Sequence, residues 1–596
     1  MCGIFGYIGK KETNATSTVL AGLKILEYRG YDSWGIAARI KSKKNDPIFV
    51  IEKHVGKIGN ASLRSDLEVP SSLVIGHTRW ATHGGVTQNN AHPHSDCTKK
   101  IALVHNGIVE NFQQLREVLT EKGHTFLSKT DSEVIVHLIE EELKKKDFAT
   151  AVRDAFNQLQ GMNAIVVAYA PTQELIAAKS GSPLVVGIHK DEYFIASDTT
   201  GLIKYTNKIL FVEDNQMVIL NNDLKLIKLL DGKTIKPQIT TIDWTFTDSE
   251  KGHFPHFLLK EIFDQPQVIE KTAKNAQAST KLLAKQVNSA YGTFMVGCGT
   301  ASYAALAGTY LFSRIAKHHV NFSIGSEFNY LEDYLTNKSL IIPISQSGET
   351  IDVVDPVGKA KQKGARIAAI VNVIGSTLYR QADDRILLEA GQEKAVVATK
   401  SFMAMTSTLI LTAYTLAGKQ QHGVKLLEGA SKNIQALLHE DLLQKIKNLA
   451  ENLKGHEHIY LLGRGLSYAT ALEGALKIKE TAYVHAEGFA GGELKHGVIA
   501  LVTKGTPCFI FAPEDETYDE IISNAQEVKV RGGYIIGIGS KDNSVFDVFF
   551  KTENLEDATM LPQVLIMQLF GYYLALARGI ADPDKPRNLA KAVTVK

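Results

Sequence analysis

Three strand–loop–helix units recur in this chain at one nearly fixed spacing. Gly297-Cys298-Gly299, after the apolar run 293–296, corresponds to Gly463-Arg464-Gly465 after 459–462, an offset of 463 − 297 = 166. Thr350 and Thr517 each follow an apolar run (340–344 and 508–511) and lie 517 − 350 = 167 apart. Gly364 before 367–371 and Gly532 before 535–538 lie 532 − 364 = 168 apart. So steady an offset predicts two copies of one doubly wound, parallel-sheet α/β domain, expected at 284–423 and 450–586.

The preceding residues read differently. Strands are expected at 3–9, 73–76, 101–105, 164–169, 175–178 and 184–188, and a helix at 16–29 with Val19, Leu23 and Leu26 on one face and Gly30 as its stop. Asn111 with Gln114 fits a capping pair for a helix ending at Gly123. Thr130 with Glu133 fits a capping box for a helix through Val134, Ile135, Leu138 and Ile139. This is a mixed, layered α/β domain over 2–220. A linker is expected within 221–255, most polar at 240–255.

At 596 residues the chain is too long for one core. Lys plus Arg (66) nearly balances Asp plus Glu (64), which gives no footprint for nucleic acid or an acidic membrane. The most membrane-like stretch, 560–577, contains Pro562, Gln563, Gln568 and Gly571 and reads as a buried helix. Four widely spaced cysteines (Cys2, Cys97, Cys298, Cys508) and no visible signal peptide suit a soluble, cytoplasmic protein.

Cys2 follows Met1 directly, and removal of Met1 would give one residue both a thiol and a free α-amine. A thiol titrates near about 8.5 and an α-amine near about 8, so the amine can act as the thiol's base. Four polar clusters complement it. Arg29-Gly30 follows the first helix, His77-Thr78-Arg79-Trp80-Ala81-Thr82-His83-Gly84 leaves a strand, Asn106-Gly107 follows another, and Asp131 sits in a first helical turn. An amide hydrolase needs oxyanion donors, which the Asn106 side chain and the Gly107 N–H can supply. Arg79 can grip an amino-acid carboxylate and Asp131 can hold its α-amine. Singly, each has a plainer reading as a turn, a dipole partner or a surface ion pair. The cluster His92-Pro93-His94-Ser95-Asp96-Cys97 reads as a structured loop rather than a metal site.

Met1-Cys2-Gly3-Ile4, Leu26-Glu27-Tyr28-Arg29-Gly30-Tyr31-Asp32-Ser33, the His77–Gly84 segment, Val104-His105-Asn106-Gly107 and Thr130-Asp131-Ser132-Glu133 resemble the glutaminase domain of N-terminal-nucleophile (class II) glutamine amidotransferases. The resemblance implies a four-layer αββα Ntn-hydrolase fold in which Cys2 forms a glutamyl thioester and releases ammonia. It implies that Arg79, Trp80, Thr82, His83 and Asp131 hold glutamine, with Trp80 also gating ammonia transfer and Asn106 and Gly107 as the oxyanion hole. Trp34 departs from the small residue the family places after Asp-Ser.

In the first repeat copy, Ser345-Gln346-Ser347-Gly348-Glu349-Thr350 opens a helix. Its hydroxyls, free backbone amides and helix N-terminus make a phosphate cradle, which Thr300 can reach from the neighbouring loop. The equivalent loop of the second copy, Pro513-Glu514-Asp515-Glu516-Thr517, would repel phosphate. Glu473, Lys477 and Glu480 fall on one helical face, a pattern that alone marks a solvated face. A Gly-rich segment, 486–497, and a C-terminal stretch, 586–596, follow.

These stretches resemble tandem sugar-isomerase (SIS) domains. Behind a glutaminase domain, they give the order of the glutamine–fructose-6-phosphate aminotransferase (isomerizing) family. That resemblance implies glutamine and fructose 6-phosphate as substrates, a homodimer, and no metal or other cofactor. It implies that His496 opens the sugar ring and that Lys591, in a catalytic tail at 587–596, forms a Schiff base at C2. Glu480 then moves the proton between C1 and C2, Lys477 assists and Glu473 orients. Thr300, Ser302, Ser345, Gln346, Ser347 and Thr350 hold the phosphate. Ala301 stands where a phosphate-contacting Ser is expected, with Ser302 beside it, and Lys596 replaces an acidic terminal residue. Two alternatives stay open at this point: another class II amidotransferase, and a non-catalytic phosphosugar sensor.

Overall fold

The computed structural model describes residues 2–42, 46–59, 61–242 and 251–594. The chain forms two compact units, one of Met1–Asp248 with Ala590–Lys596 and one of Ser249–Leu589.

In the first unit, an eight-stranded sheet is built around Gly3–Thr13, between Glu192–Ala196 and Ser71–Arg79. A seven-stranded sheet is built around Asn163–Tyr169, between Glu174–Ser180 and Ile101–Gly107. Adjacent strands are antiparallel in both. Strand side chains alternate between faces, and here both faces are buried. Ile4 and Ile8 join Ala102, Val104, Ala164 and Val166 in a core between the sheets. Phe5 and Tyr7, from the other face, pack with Val19, Leu23 and Leu26 of the helix Ala15–Leu26. Ile101, Leu103, Ile165 and Val167 pack outward onto the helices Glu133–Leu143 and Phe148–Phe156. The layers are helix, sheet, sheet, helix, as the resemblance implies.

Several local expectations change. The first helix ends at Leu26, followed by a 3₁₀ turn, Glu27–Arg29. Gly30 is extended (φ −172°) and is needed for close approach instead, since a Cβ there would lie 2.7 Å from the Arg79 carbonyl carbon. Neither capping pair forms. Asn111 bonds the Gln158 carbonyl and the Gln160 N–H, because the neighbouring loop offers it partners at 2.9 and 3.0 Å. Glu133 takes the N–H groups of Leu127 and Ser128, and Ser132 is the residue before the helix. The linker begins later than expected: Leu224–Lys228, Thr234–Ile235 and Ile239–Thr241 are strands of the first unit's sheets. Residues 243–250 of the expected linker lie outside the described residues.

The second unit contains the repeat. Each copy is a five-stranded parallel sheet in the order 2-1-3-4-5. The helices Thr300–Ala316 and Leu466–Ala482 match at 466 − 300 = 166 residues, and Ile351–Gln362 and Tyr518–Lys529 at 518 − 351 = 167. The first pair is preceded by glycines of equal conformation, Gly299 (φ 56°, ψ −130°) and Gly465 (φ 53°, ψ −127°). Both these helices then end on a left-handed residue, Lys317 and Tyr483. The apolar helix expected at 560–577 is Met560–Ala577, and every residue from Met560 to Ala575 is buried. Among the described residues, the stretch Glu556–Ala577 is long and apolar enough to cross a membrane, and 89% of its apolar window is buried inside the protein.

Candidate active site

In the first unit, the register Gly3↔Thr78 carries Trp80 against Cys2. Cys2 Sγ accepts the Trp80 N–H at 3.2 Å and faces the Trp80 carbonyl at 3.5 Å. The Cys2 carbonyl accepts Asn106 Nδ2 at 3.0 Å and Arg29 Nε at 3.3 Å, and Arg29 is fixed by Asp198 at 3.1 Å.

The orientation of Asn106 follows from His77, a residue to which sequence reasoning gave no role. His77 Nε2 lies 3.0 Å from the His105 carbonyl and 3.1 Å from Asn106 Oδ1. The carbonyl can only accept, so Nε2 carries the proton. Burial pushes the His77 pKa down to about 3, so the ring is neutral. Asn106 Oδ1 is therefore occupied as an acceptor, and Nδ2 is the end presented at Cys2. Gly107, beside it, has φ 139°, and a Cβ there would sit 2.2 Å from the Met162 carbonyl oxygen, so only glycine fits.

Arg79 is buried and holds the turn that follows it. Its guanidinium donates to the His83 carbonyl and, at 3.3 Å each, to the carbonyls of Gly84 and Gly85. Thr82 is exposed on this turn. Half-buried His83 stands edge-on to Phe112, and half-buried Trp80 stands edge-on to Tyr31. Asp131 is not in a helical turn. It lies two residues before Glu133–Leu143, is 3% exposed, and accepts the Val109 N–H at 2.8 Å. That bond ties it to the end of the strand carrying Asn106 and Gly107. Trp34 is buried and stacks on His54 at 4.5 Å, a packing role.

In the second unit the Glu–Lys–Glu face is not solvated. Glu473 and Lys477 are 0% and 1% exposed, and Glu480 is 19% exposed. Lys477 Nζ lies 2.7 Å from Glu480 and 3.3 Å from Glu473, and donates to Thr300 Oγ1 at 2.9 Å and the Ala398 carbonyl at 3.0 Å. Burial opposes the Lys477 charge, but Glu473 and Glu480 outweigh it and raise its pKa. Glu473 moves the other way for a carboxylate: burial lifts it to about 7, against the pull of Lys477. One ammonium cannot fully satisfy two carboxylates, and Glu480 has the shorter contact. A carboxyl poised near neutrality beside a second carboxylate suits proton transfer.

The strands Thr293–Gly297 and Leu340–Ser345 are parallel neighbours at the sheet's switch point, so the loops after them emerge together. In the second loop, Ser345 Oγ accepts the Gly348 N–H at 3.0 Å and lies 3.5 Å from Thr350 Oγ1. Ser347 Oγ accepts the Glu349 N–H at 3.1 Å. Gln346 and Ser347 are half-buried. The Glu349 carboxylate is turned away and binds Thr377 N–H and Oγ1 at 2.9 and 2.7 Å, which removes its charge from the cradle. Thr300 Oγ1 is engaged by Lys477 and lies 3.4 Å from Glu473, and the buried Ser302 hydroxyl donates to the Gly299 carbonyl at 2.7 Å. In the second copy, the acidic loop is occupied by Arg314, which pairs with Asp515, Glu516 and Asp557 at 2.8–3.1 Å.

Two known families match separate parts of the chain. The profile of the glutamine amidotransferase domain family matches residues 77–204, and that of the SIS domain matches 288–415 and 452–550. The chain is 43% identical to the glutamine–fructose-6-phosphate aminotransferase (isomerizing) of Pyrococcus horikoshii and 41% identical to that of Thermococcus kodakarensis, each over 100% of both chains. The chain belongs to the glutamine–fructose-6-phosphate aminotransferase (isomerizing) family. A solved C-terminal domain of the glucosamine–fructose-6-phosphate aminotransferase of Francisella tularensis superposes with a TM-score of 0.52 at 31% identity, covering 56% of this chain and 98% of that one.

Within this aminotransferase family the remaining expected residues are less gathered. His496 is exposed at the end of the 3₁₀ turn Gly491–His496. Ala301 is buried in the apolar core of the second unit. Lys591 falls in Ala590–Lys596, which groups with the first unit. The tail is tethered at its start, where the Arg587 N–H donates to Tyr483 Oη at 2.8 Å. Lys596 lies outside the described residues.

Proposed function

We propose that the chain transfers the amide nitrogen of glutamine to fructose 6-phosphate and isomerises the product, giving glutamate and glucosamine 6-phosphate. The observation that carries this reading is the neutral His77 holding Asn106 so that Nδ2 faces the residue bearing the thiol. Cys2 attacks the glutamine amide carbon, and Asn106 Nδ2 with the Gly107 N–H stabilises the oxyanion. Asp131 takes the glutamine α-amine, while Arg79, Thr82 and His83 form the carboxylate side and Trp80 covers the thiol.

In the second unit, the hydroxyls and amides of Ser345–Thr350, with Gln346, Ser347 and Ser302, hold the sugar phosphate. His496 opens the ring and Lys591 forms the Schiff base that ammonia displaces. Glu480 carries the proton between C1 and C2 while Lys477 and Glu473 set its charge, and Thr300 links that cluster to the phosphate loop. A cytoplasmic location fits four free cysteines. A homodimer is supported by apolar side chains left exposed along one segment: Ile324, Tyr330, Leu331 and Tyr334, at 46–81%. The assay that tests the function supplies glutamine and fructose 6-phosphate together. Glutamate and glucosamine 6-phosphate are expected in equal amounts. Glutamate without amino sugar would reject the transfer.

A further inference from the structure

In the sequence Cys97 closes the cluster His92-Pro93-His94-Ser95-Asp96-Cys97, and the fold breaks that cluster apart. His92 stacks on His77 at 4.2 Å, and His94 bonds Thr130 Oγ1 at 3.2 Å, both inside the domain. Cys97 sits in the turn between the strands His94–Ser95 and Ile101–Gly107 and points the other way. There it meets three side chains from elsewhere. His124 follows the helix Phe112–Glu121, and His137 and Glu140 are one turn apart on Glu133–Leu143.

The four ligand atoms lie within 4.8 Å of one another. Cys97 Sγ is 3.8 Å from His137 Nδ1, and Glu140 Oε2 is 3.0 Å from both His137 Nδ1 and His124 Nδ1. Tetrahedral zinc, with bonds of about 2.0–2.3 Å, holds its ligands about 3.3–3.8 Å apart. We propose that Cys97, His124, His137 and Glu140 form a structural Zn²⁺ site, separate from both reaction centres.

The outer contacts support the same assignment. A metal-bound imidazole ordinarily gives its second N–H to a carboxylate. His124 Nε2 lies 3.1 Å from Glu141 Oε2 in this way, while the Glu133 carboxylate lies near His137 Nε2 at 3.8 Å, beyond hydrogen-bond distance. Glu133 is itself fixed by the N–H groups of Leu127 and Ser128. Both histidines are nearly buried, at 4% and 1% exposed, so they are preset, while Cys97 is exposed and gives the ion its entry. One thiolate, two imidazoles and one carboxylate suit zinc over calcium or magnesium. All four positions are filled by protein, which marks a structural role. Binding displaces the Cys97 thiol proton to solvent. The ion fastens a turn, a loop and a helix together, and the segment it clasps between His124 and His137 contains Asp131.

The test measures metal content of the full-length protein, grown with zinc and dialysed against metal-free buffer. One zinc per chain is expected, with at least a tenfold loss in Cys97→Ser, whose exposed position spares the fold. The Co²⁺-substituted wild-type protein should show a thiolate-to-cobalt charge-transfer band and tetrahedral ligand-field bands. Glu141→Gln should weaken zinc affinity by about 10–100-fold. Wild-type protein without metal, or Cys97→Ser with an undiminished zinc content, would overturn the proposal.

Discussion

Replacing Cys2 by Ala is expected to abolish glutamine use, by roughly 10⁴-fold or more in kcat/KM, while isomerisation of the hexose phosphate continues. The size follows from chemistry: the thioester needs a thiol, and alanine has no nucleophile. The separation follows from architecture. Cys2, Asn106 and Asp131 belong to one compact unit, and the Glu473–Lys477–Glu480 cluster with the Ser345–Thr350 loop belongs to the other. The fold should tolerate the change, because the Cys2 carbonyl, which receives Asn106 and Arg29, is main chain and survives it. Measuring glutaminase and isomerase rates on the same preparation checks both halves. Loss of both activities in a folded variant would contradict the division.

Lys477→Met should be the most damaging change in the second unit. It leaves Glu473 and Glu480 facing each other with no cation, and removing one partner of a buried ion pair costs about 3–5 kcal/mol. The effect should grow with pH. The Glu473 pKa in the folded chain is already raised from 4.5 to about 7. A raised carboxyl contributes stability below its unfolded pKa and loses it as pH rises through the folded one. Without Lys477 that loss extends further above neutrality, so thermal unfolding at pH 8 should suffer more than at pH 5. Adding Glu473→Gln to Lys477→Met should recover part of the stability, because the second buried charge is then gone. A double variant no more stable than the single one would mean that the three groups do not share one electrostatic balance.

What the sequence disclosed follows physical lines. The repeat was legible because each copy must reproduce the same strand ends and glycine turns. Gly299 and Gly465 needed one conformation, and so they kept one spacing. The four layers were legible only through the glutaminase resemblance; the strands themselves, such as 73–76 and 164–169, indicate no more than a mixed, layered α/β domain. The Glu473–Lys477–Glu480 stripe could not be told from a surface stripe, since helical spacing fixes a shared face but not what covers it. His77 escaped notice because its work is done across the sheets, on Asn106 and the His105 carbonyl. The partners of Cys97 were hidden for the same reason: adjacent histidines drew attention, whereas the turn aims Cys97 at residues beyond the next strand. Both capping pairs failed because longer-range partners outcompeted the local ones.

The central claim is that nitrogen freed at Cys2 is the nitrogen found in the sugar. The direct measurement supplies glutamine labelled with ¹⁵N in its side-chain amide, together with fructose 6-phosphate and an excess of unlabelled ammonium, and weighs the amino sugar by mass spectrometry. The account predicts that the C2 amine of glucosamine 6-phosphate carries the label in spite of the ammonium. Amino sugar carrying mainly the unlabelled nitrogen, while glutamine is being hydrolysed, would contradict it.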